Sequence, residues 1–399
     1  MSETVSLIPC ADYDLELVSA ALKESLDLLG GLERFVQPGQ RVLLKVNLLM
    51  AADPEKAITT HPAVVEAMVR MVQALGAHPV IGDSPGAVPY TPGGLRRAYR
   101  VSGLQDVAAR TGAELNFDTT VVSVSNPDGV LIKRFEVIRP AVEADVLISM
   151  PKLKTHMFTW FTGATKNLFG VVPGVAKVGY HGKLPTLDRF AEMLLDLIVA
   201  VRPALHVMDG VLAMEGDGPG LRGRPRHAGV LLASSNAAAL DAVACDLIGL
   251  DPMRLELLQA AVRRGWWSGR VEDIEVLGAQ REDISLPGFK LPSSMAKNPR
   301  AFDRLGVVSE RMAEWLIGRT RYSFTPRPEP QAHICTGCKL CVNACPQQAI
   351  TIRNRHAVID DKNCIRCYCC HELCPEAAVD IRFSPLGRAF RRIGLIGRS

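Results

Sequence analysis

The chain has 399 residues, 48% of them hydrophobic and 22% charged, a balance typical of folded proteins, and it is long enough for two or three domains of roughly 100–200 residues each. A formal net charge of +4 is too small for this length to argue for nucleic-acid binding, and no run of roughly 20 uninterrupted apolar residues offers a transmembrane segment. Met1–Asp14 lacks a basic stretch followed by an apolar run, so no secretory signal is read and the expected location is cytoplasmic.

In chain order, Val5–Pro9 reads as a buried strand, Leu15–Leu29 as a helix, Val42–Leu49 as a strand and Val64–Leu75 as a helix. Val80–Gly82 and Val146–Met150 follow as strands. Leu187–Val201 is a helix, with Leu187, Phe190, Ala191, Leu194, Ile198 and Val201 on the 3.6-residue period. His206–Met208 and Val230–Ala233 read as strands, Ala237–Ile248 as a helix and Ile274–Leu277 as the last strand. Continuous apolar strands alternating with helices predict an α/β domain over residues 1–285, its mainly parallel sheet covered by helices on both faces. Residues 286–330 are proline-punctuated and read as a connector with one helix around Phe302–Thr320. Residues 331–384 form a small α+β domain. In the tail, 385–399, Leu386, Phe390, Ile393 and Ile396 recur at helical spacing among Arg388, Arg391, Arg392 and Arg398, a basic amphipathic pattern suited to peripheral contact with a membrane or a protein.

Nine of the eleven cysteines lie between Cys335 and Cys374, a clustering that points to metal rather than disulfides. They form a repeat offset by 29 residues: Cys335, Cys338, Cys341 and Cys345-Pro346 match Cys364, Cys367, Cys370 and Cys374-Pro375. Both halves fit C-x2-C-x2-C-x3-C-P, the bacterial 4Fe–4S run, in which the fourth cysteine ligates the other cube. One cluster is therefore assigned to Cys335, Cys338, Cys341 and Cys374, and the second to Cys364, Cys367, Cys370 and Cys345. Zinc sites would show two separated C-x2-C pairs instead. Cys369, Cys10 and Cys245 read as small apolar fillers. The segment Ile334–Ile381 resembles the bacterial two-cluster ferredoxins. That resemblance implies two low-potential one-electron carriers and a redox partner protein.

Polar residues gather at the strand ends of the first domain, where open α/β sheets bind ligands. Lys45 and Asn47 end one strand, His61-Pro62 opens a helix, and Asp83 and Ser84 close another strand. Lys152, Lys154 and His156 follow Val146–Met150, then Lys166 and Asn167; Asp209 and Glu215 come later. Converging, they make a cleft for an anionic carboxylate or phosphate. His156, Lys166, Lys154 and His61 are the candidates for proton transfer, and Lys45, Asn47, Asp83, Ser84, Lys152, Asn167, Asp209 and Glu215 for substrate binding. His181 and Asp241 are weaker candidates, and His78, His206 and His227 weaker still.

Leu44-Lys45-Val-Asn47, Thr60-His61-Pro62, Gly82-Asp83-Ser84-Pro85-Gly86, Pro151-Lys152-Leu153-Lys154-Thr155-His156, Lys166-Asn167 and Asp209-Gly210 together resemble the domain of unknown function 362, from about Val5 to Ala279. The resemblance implies this architecture and an iron–sulfur association. His156 and Lys166, ten residues apart, are also similar to a segment of the nickel-pincer lactate racemases; Asn167 departs from that pattern, and no nickel is expected. No G-x-G-x-x-G follows a strand and no G-x-x-x-x-G-K-[ST] occurs, so neither a flavin nor a nicotinamide site is supported. The chain reads as an iron–sulfur oxidoreductase whose two 4Fe–4S clusters deliver electrons to a small anionic substrate or cofactor in the first domain. The alternative is a non-catalytic electron-transfer or assembly subunit of a larger redox complex.

Overall fold

A computed structural model describes residues 3–295, 326–385 and 388. The helix expected around Phe302–Thr320 and almost all of the basic tail lie outside the described residues. The main sheet contains β1 (Thr4–Pro9), β2 (Arg41–Val46), β3 (His78–Gly82), β4 (Glu114–Leu115), a separate hairpin of β5 (Val121–Ser125) and β6 (Arg134–Ile138) lying outside it, then β7 (Val146–Met150), β8 (Lys152–His156), β9 (Trp160–Phe161), β10 (Leu205–Gly216), β11 (Gly223–Ser234) and β12 (Glu275–Gly278). Its order is β12-β1-β11-β10-β7-β2-β3-β4, with β8 on β10 and β9 on β8.

Strand alternation explains the two-sided burial. Val42, Leu44 and Val46 of β2 pack with Val18, Leu22 and Leu26 of the helix Leu15–Leu28 and with Val65, Met68 and Val69 of the helix Pro62–Ala74. Leu43 points to the other face and joins Phe190, Leu194, Leu240 and Val243 of the helices Leu187–Val201 and Ala237–Leu247. Successive side chains of a strand leave on opposite faces, so an all-apolar strand needs a layer on each side. Burying Leu or Val fully stabilises by roughly 1.5–3 kcal/mol per side chain, and these two faces supply most of the domain's core. The helix ends are capped locally. The Asp14 side chain accepts from Glu16 N and Leu17 N, and the Asn236 side chain from Ala238 N and Ala239 N.

The sheet is mainly parallel but mixed. β10 and β11, read from sequence as short strands, form one long antiparallel hairpin, and β1 pairs antiparallel with β11. β2 stops at Val46, three residues before the expected end, because the next amides bond side chains instead of a strand. Asn47 N donates to Thr60 Oγ1 at 2.9 Å and Leu48 N to Asp83 Oδ2 at 2.7 Å.

The C-terminal unit, expected as a small α+β domain, is strand-rich with one-turn helices. β13 (Arg327–Pro330) pairs with β16 (Val379–Arg382), and β14 (Ile350–Arg353) with β15 (His356–Ile359). One-turn helices, Leu340–Asn343 and Cys369–Glu372, follow the two ligand loops. Among the described residues no helix is long and apolar enough to cross a membrane.

Candidate functional site

The clustered cysteines line two small cavities. One small cavity is lined by Cys335, Cys338, Cys341 and Cys374, another by Cys345, Cys364, Cys367 and Cys370. Among the described residues no three such donors close on a single ion; each quartet borders free space of about 360 or 330 Å³ counted out into open solvent. Backbone amides also point at sulfurs, Ala349 N at Cys345 Sγ and Ala378 N at Cys374 Sγ, both at 3.2 Å. Such bonds favour thiolates. Four thiol donors around one small cavity, with amides aimed at the sulfurs, fit iron–sulfur clusters.

A third cavity, about 720 Å³ of free space counted out to its mouth, lies where the first domain meets the second half of the cysteine repeat. Lys45, Asn47, Asp83, Ser84, Lys154, His156, Lys166 and Asn167 all line it, so the structure brings together eight of the twelve residues picked out in the first domain. Lys45 is held at the end of β2 by Asp83 Oδ1 at 2.9 Å and by the Val46 carbonyl. Lys154 Nζ donates to Asn47 Oδ1 at 2.6 Å and to the Ile58 carbonyl at 2.8 Å. Asn167 ties the floor together, accepting from Lys45 Nζ and Asn47 Nδ2 and donating to Ser149 Oγ. Gly170 permits this packing: a Cβ there would come within 2.1 Å of Asp83 Oδ1 and 2.3 Å of Lys45 Nζ.

The charges do not balance. Four lysines face the cavity (the three above and Lys177, whose ammonium bonds the Ser84 carbonyl), against the carboxyls of Asp83 and Glu372. Among the described residues the Lys166 ammonium has neither a hydrogen-bond nor an ion-pair partner; it stands over the Phe169 ring, 5.9 Å from its centroid. Burial lowers the affinity of these lysines for a proton. Lys177 falls to about 7, and Lys154 falls far below its usual value through burial and then the neighbouring Lys166. Burial pushes the Glu372 carboxyl up to about 7. His156 and His181 are held neutral by burial and by Lys166, His181 at about 3.

His156 Nδ1 accepts from Phe158 N at 3.0 Å, which leaves the ring proton on Nε2. That Nε2 lies 3.2 Å from Glu372 Oε1 but out of line for a hydrogen bond. With His156 neutral, this is a polar contact and not an ion pair. Thr162 Oγ1 and His181 Nδ1 also line the cavity and are buried without a partner. Several polar atoms in this one cavity therefore lack a protein partner, and an unmade buried hydrogen bond costs about 1–3 kcal/mol.

The other four stand elsewhere. Lys152 Nζ and Asp209 Oδ2, 2.7 Å apart and fully buried, form a closed node with Tyr13. His61 stacks on that Tyr13 ring at 3.4 Å and donates its amide to Asp209 at 2.8 Å. Lys152 shares a strand face with Lys154 and His156, but β10 bulges between Asp209 and Met214, leaving Lys152 against Asp209. Glu215 accepts from Lys290 N at 3.0 Å. Of the weaker candidates, His181 lines the cavity. Asp241 lies beneath it, accepting from Ala164 N at 2.5 Å and Thr165 N at 3.0 Å at the start of the turn that carries Lys166. His227 bonds the Ala11 carbonyl, His206 is buried away from the cavity and His78 is exposed.

Sequence reasoning missed Lys177, Glu372 and Leu373, and read Cys369 as a filler. Cys369 lines both the third cavity and the cavity of the second quartet. The glycine-rich loop after Glu215 makes this docking possible. His371 Nε2 meets the Asp217 carbonyl at 3.1 Å, and a Cβ on Gly220 would come within 2.6 Å of the Glu372 carbonyl. Arg222 secures the edge through the Ala377 carbonyl at 2.8 Å and Asp380 at 2.5 Å.

The model of the domain of unknown function (DUF362) matches residues 42–246, and that of a 4Fe-4S dicluster domain residues 334–378. The "Thylakoid-associated protein sll1697" of Synechocystis sp. is 36% identical over 299 residues, covering 73% of this chain and 88% of that protein. The chain belongs to the DUF362 family. Among solved structures, the lactate racemase apoprotein from Thermoanaerobacterium thermosaccharolyticum is 13% identical with a TM-score of 0.37, over 61% of this chain and 56% of that one. A likeness at that level carries no argument. The DUF362 domain thus supplies the lysine wall of the third cavity and the dicluster domain its opposite wall, in an iron–sulfur electron-transfer protein.

Proposed function

We propose that the protein is a ferredoxin-coupled oxidoreductase, with two 4Fe–4S clusters held by the two cysteine quartets and a small anionic substrate or cofactor bound in the interdomain cavity. The observation that carries this reading is Cys369, shared by the cavity of the second quartet and the lysine-lined one. Bound clusters supply single electrons. Lys154, Lys166 and Lys177 draw in the anion, and the Lys45–Asp83 pair fixes the floor on which it rests. His156 holds a proton on Nε2, and Glu372, titrating at about 7, holds one near neutral pH. In this reading Glu372 passes its proton to the reduced ligand, and neutral His156 donates a hydrogen bond to it from Nε2. His61, in the closed Tyr13 node, takes no part. The proposed place of work is the cytoplasm, at a membrane surface in keeping with the name of the thylakoid-associated relative.

Anaerobic purification with mass spectrometry would identify any small molecule retained in the cavity. That molecule should then reoxidise dithionite-reduced protein. Lys166→Ala or His156→Ala should abolish the reoxidation while leaving the visible absorbance of the clusters intact. Wild-type rates in both variants would refute the reading.

A further inference from the structure

The two halves of the cysteine repeat face opposite ways. At matching places 29 residues apart, Lys339 stands where the second half has Tyr368, Leu340 where it has Cys369, and Asn343 where it has Glu372. Tyr368, Cys369 and Glu372 are all buried, the first donating its hydroxyl to the Pro326 carbonyl. Lys339 and Asn343 are exposed, and so is Cys338, the one exposed cysteine of the chain's nine clustered thiols. The residues between the second half's ligands, Cys369 and Glu372, are turned toward the interior cavity, and their counterparts in the first half toward solvent or its own core.

The solvent-facing rim carries a distinct charge pattern. Ile352 and Ala357 line the first quartet's cavity, so the hairpin tip between them, with Arg353 and Arg355, stands beside it. The tip is tight against the ligand loop: a Cβ on Gly337 would come within 2.6 Å of the Arg355 carbonyl. Lys339, Arg353 and Arg355 are exposed, and among the described residues none has an ion-pair partner. Ile334 adds an apolar side chain, 38% exposed, and Glu376 is the one carboxylate on the wall of this cavity. In the second half the charge is already matched, since Arg366 is buried and pairs with Asp361 at 2.7 Å.

We propose that the rim of the first quartet, formed by Cys338, Lys339, Arg353, Arg355 and Ile334, is the docking face for a small acidic protein that carries one electron at a time. Three unpaired cations around an exposed thiolate ligand steer a negatively charged partner and bring its redox centre to the one clustered cysteine that is exposed, Cys338. A cluster held by Cys335, Cys338, Cys341 and Cys374 would accept one electron from the reduced carrier, which would be oxidised by one equivalent with no covalent bond formed or broken. The inward direction of flow rests on the interdomain cavity as the acceptor site, whereas the docking face does not.

Titration calorimetry of the anaerobic, cluster-loaded protein with an acidic flavodoxin, at roughly 50 mM ionic strength where screening is weak, tests the docking face. Binding should weaken steadily as salt is added. Arg353→Glu combined with Arg355→Glu should raise Kd at least about tenfold, with the visible absorbance of the clusters retained. Arg353→Gln, at the end of its strand, serves should the double variant lose its clusters, and should weaken binding about threefold. Arg97→Glu with Arg100→Glu, on an exposed helix face of the first domain, should leave Kd unchanged. Unaltered affinity in the cluster-loaded rim variants, no flavodoxin binding at all, or equal affinity for the basic carrier cytochrome c would each overturn the proposal. Lys166→Ala should bind flavodoxin as the wild type does. Normal docking with no reoxidation by a cavity ligand in the wild type would strike the cavity reading alone.

Discussion

The two halves of the C-terminal unit share a ligand spacing, a one-turn helix and an amide aimed at the fourth sulfur, and differ in what the residues between their ligands face. The first half keeps Leu340, Val342 and Asn343 on its one-turn helix and shows that helix to solvent or to its own core; the second carries Cys369, His371 and Glu372 there and presses them into the DUF362 domain. Ligand geometry constrains the cysteines, so both halves retain them. The residues between ligands are free to follow whatever the helix faces. Repeat symmetry in a two-cluster unit therefore reports the cofactor, and departures from it report the neighbours.

The largest test of this contrast removes one ligand from each half. Cys370→Ala and Cys338→Ala should each cut iron content from about eight to about four atoms per chain, read by iron quantitation. Only Cys370→Ala, at a buried position, should also loosen the seam between the domains, read as faster limited proteolysis. Equal protection in both variants would break the comparison.

Exchanging a single residue between the halves comes next. Glu372→Asn, which copies the first half, removes a carboxyl from the lysine cavity and should tighten inorganic phosphate binding about tenfold at pH 8, near 1.4 kcal/mol. The reciprocal Asn343→Glu, on an exposed site, should leave phosphate affinity unchanged. Calorimetry measures both.

A smaller effect concerns pH. Lys177 and Glu372 both titrate at about 7. As pH rises through 7 the lysine loses its positive charge and the carboxyl gains a negative one, so anion affinity is full below neutral and falls above it. Lys177→Arg keeps its charge across this range and should flatten the fall by roughly half its span in log Kd. An unchanged profile would remove Lys177 from the binding set.

The smallest effect is expected at the edge of the seam. Arg222 and Asp380 are each about a third exposed, at 31% and 35%, and a pair of that kind contributes at most about 1 kcal/mol. Arg222→Ala should lower Tm by no more than about 3 °C, read by calorimetry.

Six of the eight cavity residues were legible because they sit at or just beyond the end of a strand whose apolar run is plain, and such ends converge on one edge of a parallel sheet; Lys166 and Asn167 follow on the short helix Gly163–Asn167. Lys152 and Asp209 met the same criterion, and His61 opens the next helix, yet all three went elsewhere. The β10 bulge and the Tyr13 ring, arriving from the loop after β1, decided that, and neither leaves a signal in local composition. Lys177 was missed because the helix Gly174–Lys183 has no strand leading into it and no marked apolar stripe.

By itself the sequence determined the α/β layering, through apolar runs and helical periods, and the cysteine quartets, through a spacing that local chain geometry makes nearly unique. Tertiary structure alone decided that Cys369 and Glu372, at least 192 residues along the chain from any of its four lysines, belong to the same cavity. Docking of two separately readable domains depends on surface complementarity, on a glycine at 220 meeting a carbonyl at 372. A pairing of that kind has no periodicity and no fixed spacing for a one-dimensional reading to find.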